Sequence, residues 1–257
     1  YESVPQAWED SVPITPEYVA ELTEYANNIG IDVIPAQNYL GKNDRVLEHF
    51  PNLGDTASGK ELNLFLPETK EYLSKMTDDI YKGYTSDFMQ AGCDEVSFDF
   101  ENGAVKKSYE ALHPGETPTN NDLYYASLEE IYKLLKEKGK KMMYYGDMTV
   151  KFSEYKRAKE LMPDAIAMNW CYYHTQPDGL ARFDYSSKGF HEAGIPFYVC
   201  PGDQSWSTVI GDTDTMIGNA QNAAIKGRQY EAIGYCTTHW GDGGCYQNII
   251  SSYAGVA

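Results

Sequence analysis

An α/β fold with a parallel sheet, wound as a (β/α)8 TIM-type barrel, is what these 257 residues predict. Three observations carry that reading. Helical periodicity and short apolar runs alternate along the chain. The apolar runs lack the in–out alternation of a half-exposed strand, so both their faces should be buried. Each run opens into a loop rich in polar and aromatic residues, and no GxGxxG or P-loop glycine pattern follows any of them, which disfavours an open nucleotide-binding sheet.

The elements follow in order. Thr15 and Pro16 supply an N-cap hydroxyl and a proline at the first helical position, and Gly30 closes that helix. Val19, Leu22, Ala26 and Ile29 recur at three- and four-residue steps, predicting one apolar face. Ile31–Pro35 predicts a short buried strand. A long connection with Gly and Asn leads to a helix over 67–84, and then to a strand containing GCDEVSFDFEN, Gly92–Asn102. A third amphipathic helix over 121–140 is closed by Gly139, with a strand over 141–148 behind it. Three further pairs follow: helix 153–162 with strand 165–173, helix 188–194 with strand 195–200, and helix 214–230 with strand 232–240. That gives about six helix–strand units where a barrel needs eight strands. The expectation is one catalytic barrel domain over residues 1–257, N-terminally incomplete, whose first two strands come from a preceding segment.

Composition removes several classes. A formal charge of −17 offers no basic face to phosphates, so nucleic acid is not an expected partner. No apolar run is long enough to span a membrane. The five cysteines, Cys93, Cys171, Cys200, Cys236 and Cys245, are odd in number and lack CxxC spacing, so they read as buried small hydrophobes rather than a disulfide framework. The five histidines, His49, His113, His174, His191 and His239, show no paired ligand spacing, so a zinc site has little support. Free cysteines lean toward a cytoplasmic or anaerobic setting, while a signal peptide before the missing strands would make the protein secreted, so both localisations stay open.

In a barrel the site gathers at the C-terminal strand ends. Those positions hold Asn38 and Tyr39, Asp94 and Glu95, Tyr145 and Asp147, Trp170, Tyr172 and Tyr173, Asp203 and Trp206, and Trp240 and Asp242. Aromatic faces beside carboxylates suit a carbohydrate: C–H faces stack on rings while hydroxyls donate to carboxylates. The twenty-two tyrosines add many such amphipathic rings.

The segment LFLPETKEYLSKMTDDIYKGYTSDFMQAGCDEV closely resembles glycoside hydrolase family 20, the β-N-acetylhexosaminidases, in which a Pro-Glu-Thr helix leads to an adjacent Asp-Glu pair. ITPEYVAELTEYANNIGIDVIP, Tyr145-Gly146-Asp147 and THWGDGG (Thr238–Gly244) resemble further family segments, the last in its small hexosaminidase branch. The resemblance implies retaining, substrate-assisted hydrolysis that removes terminal β-linked N-acetylhexosamine, with the substrate's acetamide oxygen as nucleophile. The mechanism so implied needs no metal or organic cofactor. Glu95 is then the general acid and base, and Asp94 holds the acetamide N–H. Trp240 is the floor under the sugar, Asp242 accepts from its hydroxyls, and Trp170 with Tyr145, Tyr172 or Tyr173 walls the acetamide pocket. Adjacent residues on a strand face opposite ways, so Asp94 and Glu95 can serve one site only if the strand end bends. The family usually has histidine where Gln90 and Lys42 stand, and tryptophan where Tyr145 stands. Two other readings remain: a non-catalytic sugar-binding barrel, and a family 18-like endo-acting enzyme, because CDEVSFDFE also resembles that family's DGVDFDxE and would make Glu101 the acid beside Asp99.

Overall fold

The computed structural model describes residues 14–56, 59–173, 182–206, 211–240 and 242. The loop-like text before Ile14, together with His174 and Cys245, lies outside them. The chain divides into two compact parts, Tyr1–Tyr144 and Tyr145–Ala257.

In the first part, α1 spans Pro16–Asn28. Thr15 Oγ1 accepts from the Tyr18 N–H at 3.3 Å, satisfying one of the free donors at the helix start. Its buried face is Val19, Thr23 and Ala26, while Leu22 and Ile29, expected inside, are exposed. The Ile31–Pro35 segment is corrected too. It runs parallel to the first strand, with Gln90 N–H donating to Pro35 O and Gln37 N–H to Gln90 O, but it forms only the single bridge Ala36–Gln90. Among the described residues no strand pairs with its outer edge, and Ile31 is 54% and Ile34 36% exposed.

The long connection that follows is ordered by α2 (Asp44–His49), a 3-10 turn at Pro51–Leu53 and an antiparallel bridge between Gly54 and Leu62. Then come α3 (Pro67–Ile80), β1 (Phe88–Gln90), α4 (Ala104–Leu112), α5 (Asn120–Glu137) and β2 (Lys141–Tyr145). β1 and β2 are parallel, Phe88 opposite Lys141 and Gln90 opposite Met143. Helix α5 begins at a capping box in which Thr119 and Asp122 bond each other's backbone N–H. It buries Leu123, Leu128, Ile131 and Leu135 completely, each contributing roughly 1.5–3 kcal/mol against exposure. The strand expected through Gly92–Asn102 ends instead at Gln90.

The second part holds α6 (Asp147–Phe152), α7 (Tyr155–Leu161), β3 (Ile166–Trp170), α8 (Arg182–Glu192), β4 (Phe197–Cys200), α9 (Thr213–Gln229) and β5 (Gly234–Tyr235). β4 pairs in parallel with β3, from Ala167–Phe197 to Trp170–Cys200, and with β5, Val199 opposite Tyr235. A bridge between Gly202 and Thr238 carries the β4–β5 pairing into the following loops. Asn219, fully buried on α9, accepts from Gly202 N–H and donates to Cys171 O, both at 2.9 Å, so the helix fixes the loops after β3 and β4. The described residues thus contain five strands, where the sequence predicts about six.

Candidate active site

Asp94 and Glu95 follow β1 on a sharp bend. Gly92, Cys93 and Glu95 all have left-handed backbones, φ 70°, 71° and 52°. Any residue larger than glycine at position 92 would drive its Cβ into the Asn38 side chain. Tyr124 Oη donates to Cys93 O at 3.1 Å and pins the bend from α5. In this conformation both carboxylates reach one cation. Lys42 Nζ pairs with Asp94 Oδ2 and lies 3.2 Å from Glu95 Oε2. The two acids are in different surroundings: the Asp94 side chain is 8% exposed and that of Glu95 59%. Burial works to lower the Lys42 ammonium's pKa, but bonding and attraction to Asp94, then to Glu95, outweigh it and raise it.

Lys42 itself has φ 57° and is set by its neighbour Asn43, whose buried amide donates to Gly41 O at 2.8 Å. Gln90 uses its side-chain carbonyl to accept Gly92 N–H at 2.8 Å, a second support for the bend. Asp99 and Glu101 are differently employed. Asp99 Oδ1 accepts from Glu101 N–H and Asn102 N–H, so it closes a local turn, and Glu101 is exposed.

The second part brings five of the expected aromatics together. Trp170 and Tyr172 stack at 5.0 Å and 18°, and Tyr172 meets Trp206 at 4.8 Å and 60°. Trp240 lies 6.2 Å from Tyr145 and its indole N–H donates to Tyr172 Oη at 2.7 Å. Burial pushes the Tyr172 phenol well above its usual range, the bonds with Trp240 and Thr238 offsetting part of this, so it stays neutral. Gly202 is required where it stands, because a Cβ there would strike the Trp206 ring and come within 2.9 Å of Tyr172. Asp147 is buried at the first turn of α6, two residues after Tyr145. Tyr173 and Asp242 are exposed, and no ring contact joins Tyr173 to the cluster among the described residues.

Sequence reasoning did not single out Ser205 or His239 as site residues. Asp203 follows β4, and its carboxylate is fully buried with His239 Nδ1 at 2.5 Å and Ser205 Oγ at 2.8 Å. The only signal in the text was three polar residues beside two tryptophans. Among the described residues no cluster of three or more His, Cys, Asp and Glu could hold a metal ion, and no helix is long and apolar enough to cross a membrane.

This is an α/β domain with paired acids after one strand and an aromatic set after others. The family model described as glycosyl hydrolase family 20, catalytic domain, matches residues 9–187, and the chain belongs to that family. A curated relative, lacto-N-biosidase of Bifidobacterium bifidum, is 28% identical over 179 residues, 67% of this chain and 16% of its own length. Among solved structures, chitobiase of Flavobacterium johnsoniae superposes with a TM-score of 0.67 at 16% identity, over 93% of this chain and 37% of its own. The β-N-acetylhexosaminidase of Bacteroides fragilis gives 0.68 at 17%, over 92% and 47%. The chain therefore spans less than half the length of these relatives, and it has their TIM-barrel-like α/β fold.

Proposed function

We propose that this chain is the catalytic domain of a retaining glycosidase that removes terminal β-linked N-acetylhexosamine, GlcNAc or GalNAc, with the substrate's acetamide as nucleophile. One observation carries the reading: adjacent carboxylates, one buried and one exposed, turned toward a single cation by a left-handed bend at a strand end. The exposed Glu95 gives a proton to the leaving oxygen and later takes one from water. The buried Asp94 holds the acetamide N–H and stabilises the positive charge of the ring-closed intermediate. Trp240 is the floor under the sugar and Asp242 accepts from its hydroxyls; Trp170, Tyr145 and Tyr172 wall the acetamide. Asp147, Tyr173 and Trp206 complete the substrate-binding set of this proposal.

The test compares wild type, Glu95→Gln and Glu101→Gln on a chromogenic N-acetyl-β-glucosaminide. Glu95→Gln should lower kcat by about 10²–10⁴-fold, with Glu101→Gln within about twofold of wild type, the size expected of a surface change. Loss in Glu101→Gln alone would bring the family 18-like reading forward, and binding without turnover by wild type would make the domain a sugar reader.

The barrel's remaining strands belong to the same proposal. The open edge at Ile31 and Ile34 lies beside an exposed α1 stripe of Tyr18, Leu22, Tyr25 and Ile29. In the second part Ile217, Ile225, Ile233 and Tyr235 are likewise exposed on α9 and at β5. Apolar surface at both sheet edges supports closure of the sheet by further βα units.

A further inference from the structure

The loops after β4 and β5 are joined by a polar knot with no assigned role. Asp203 N–H donates to Thr238 O at 3.1 Å, and Thr238 N–H to Pro201 O at 2.8 Å. Within this frame the Asp203 carboxylate, its side chain fully buried, takes three donors: His239 Nδ1–H at 2.5 Å on one oxygen, Ser205 Oγ–H at 2.8 Å and Ser205 N–H at 3.2 Å on the other. A carboxylate only accepts, so the ring proton facing it is on Nδ1. Ser205 Oγ lies 3.1 Å from the same Nδ1 and 3.3 Å from Trp240 O.

Serine, histidine and aspartate together suggest a nucleophilic triad, but the geometry is wrong for one. Such a serine gives its proton to the ring nitrogen opposite the aspartate. Here Ser205 and Asp203 meet the same nitrogen, which is not the arrangement of a triad. What the knot does hold is Trp240. That residue follows His239 directly, its carbonyl lies 3.3 Å from Ser205 Oγ as a second acceptor for the hydroxyl proton that Asp203 otherwise takes, and its indole N–H is anchored on Tyr172 Oη. An indole fixed at its backbone and at its ring nitrogen presents a set face to a ligand without losing side-chain freedom on binding.

We propose that Asp203, His239 and Ser205 form a clasp that positions the Trp240 indole as the sugar platform, acting on affinity for the terminal sugar rather than on the chemical step. The role as a platform rests on the proposed glycosidase activity; the clasp itself rests on the contacts above.

The test uses the full chain with His239→Ala, His239→Asn and His239→Gln, reading kcat and KM on 4-nitrophenyl N-acetyl-β-glucosaminide and the near-ultraviolet circular dichroism of the indoles. An asparagine amide puts an N–H near the place of Nδ1, whereas glutamine puts it near Nε2. His239→Ala should raise KM about tenfold with kcat within about threefold, the signature of lost uniform binding. His239→Asn should restore KM to within about twofold and recover the indole signal, and His239→Gln should not. Equal behaviour of the three variants, or a fall in kcat at unchanged KM, would overturn the clasp. Should His239→Ala fail to fold, the contrast between asparagine and glutamine decides alone. If wild type neither cleaves nor binds the sugar, the glycosidase reading fails. The indole signal then judges the clasp: recovered in asparagine and lost in glutamine it stands, unchanged in both it falls.

Discussion

Lys42 reaches its two carboxylates from a left-handed backbone that costs a non-glycine residue roughly 1–2 kcal/mol, so the contact has to outweigh its own geometry. Removing the cation leaves Asp94 as a buried charge beside a second acid. We expect Lys42→Met to lower kcat/KM by about 10–100-fold and Lys42→Arg, which keeps the charge, to lower it less. The stability consequence has a definite sign. The ammonium's pKa is raised on folding, so its contribution is complete below the ordinary value of 10.5 and is lost as pH rises through the folded value. Urea unfolding of wild type and Lys42→Met should differ at pH 8, and the difference should shrink above pH 10.5. Little of this was legible in the text. Thr15 declares its cap because a capping bond spans three residues, whereas Lys42 meets Asp94 from 52 residues away and Asp203 meets His239 from 36.

At the scale of elements, the carboxylate-rich stretch after β1 reads as strand but folds as a loop, in which Asp99 accepts the Glu101 and Asn102 N–H groups. Asp55 governs that loop from outside it. Its carboxylate accepts from Asp99 N–H at 2.7 Å and Val105 N–H at 2.9 Å, and its carbonyl accepts Ala104 N–H at 2.7 Å. Two of these donors belong to the first turn of α4, where a negative charge is favoured. Asp55→Ala should therefore destabilise the chain by about 2–4 kcal/mol, through two lost charge-assisted bonds and buried donors left unpaired. Chemical denaturation measures this, and a loss under about 0.5 kcal/mol would place the α4 N-terminus under other control. The aromatic strand ends were legible for the opposite reason. Helix–strand alternation shows which loops follow strands, and the rings at or just beyond those strand ends, Trp170, Tyr172, Trp206 and Trp240, do converge.

For the whole molecule, the alternation reported the α/β class correctly, but it counted Ile31–Pro35 as buried strand because hydropathy cannot tell an edge from a centre. That segment needs a second neighbour to be buried, and the described residues provide one only on the β1 side. Exposed apolar edges recruit partners. We expect this chain by itself to self-associate as its concentration rises, with the charge of −17 setting the threshold by salt-screened repulsion. A longer form carrying two further βα units should sediment as a monomer at the same concentrations. Concentration-independent sedimentation of the short chain would mean that these edges are tolerated bare.

The left-handed backbone at Glu95 sets activity and stability against each other at one position. Glycine suits φ 52° better than glutamate, by about 1 kcal/mol after its own chain entropy is counted. The carboxylate that faces Lys42 is therefore held at a cost to the fold, and removing it relieves the backbone.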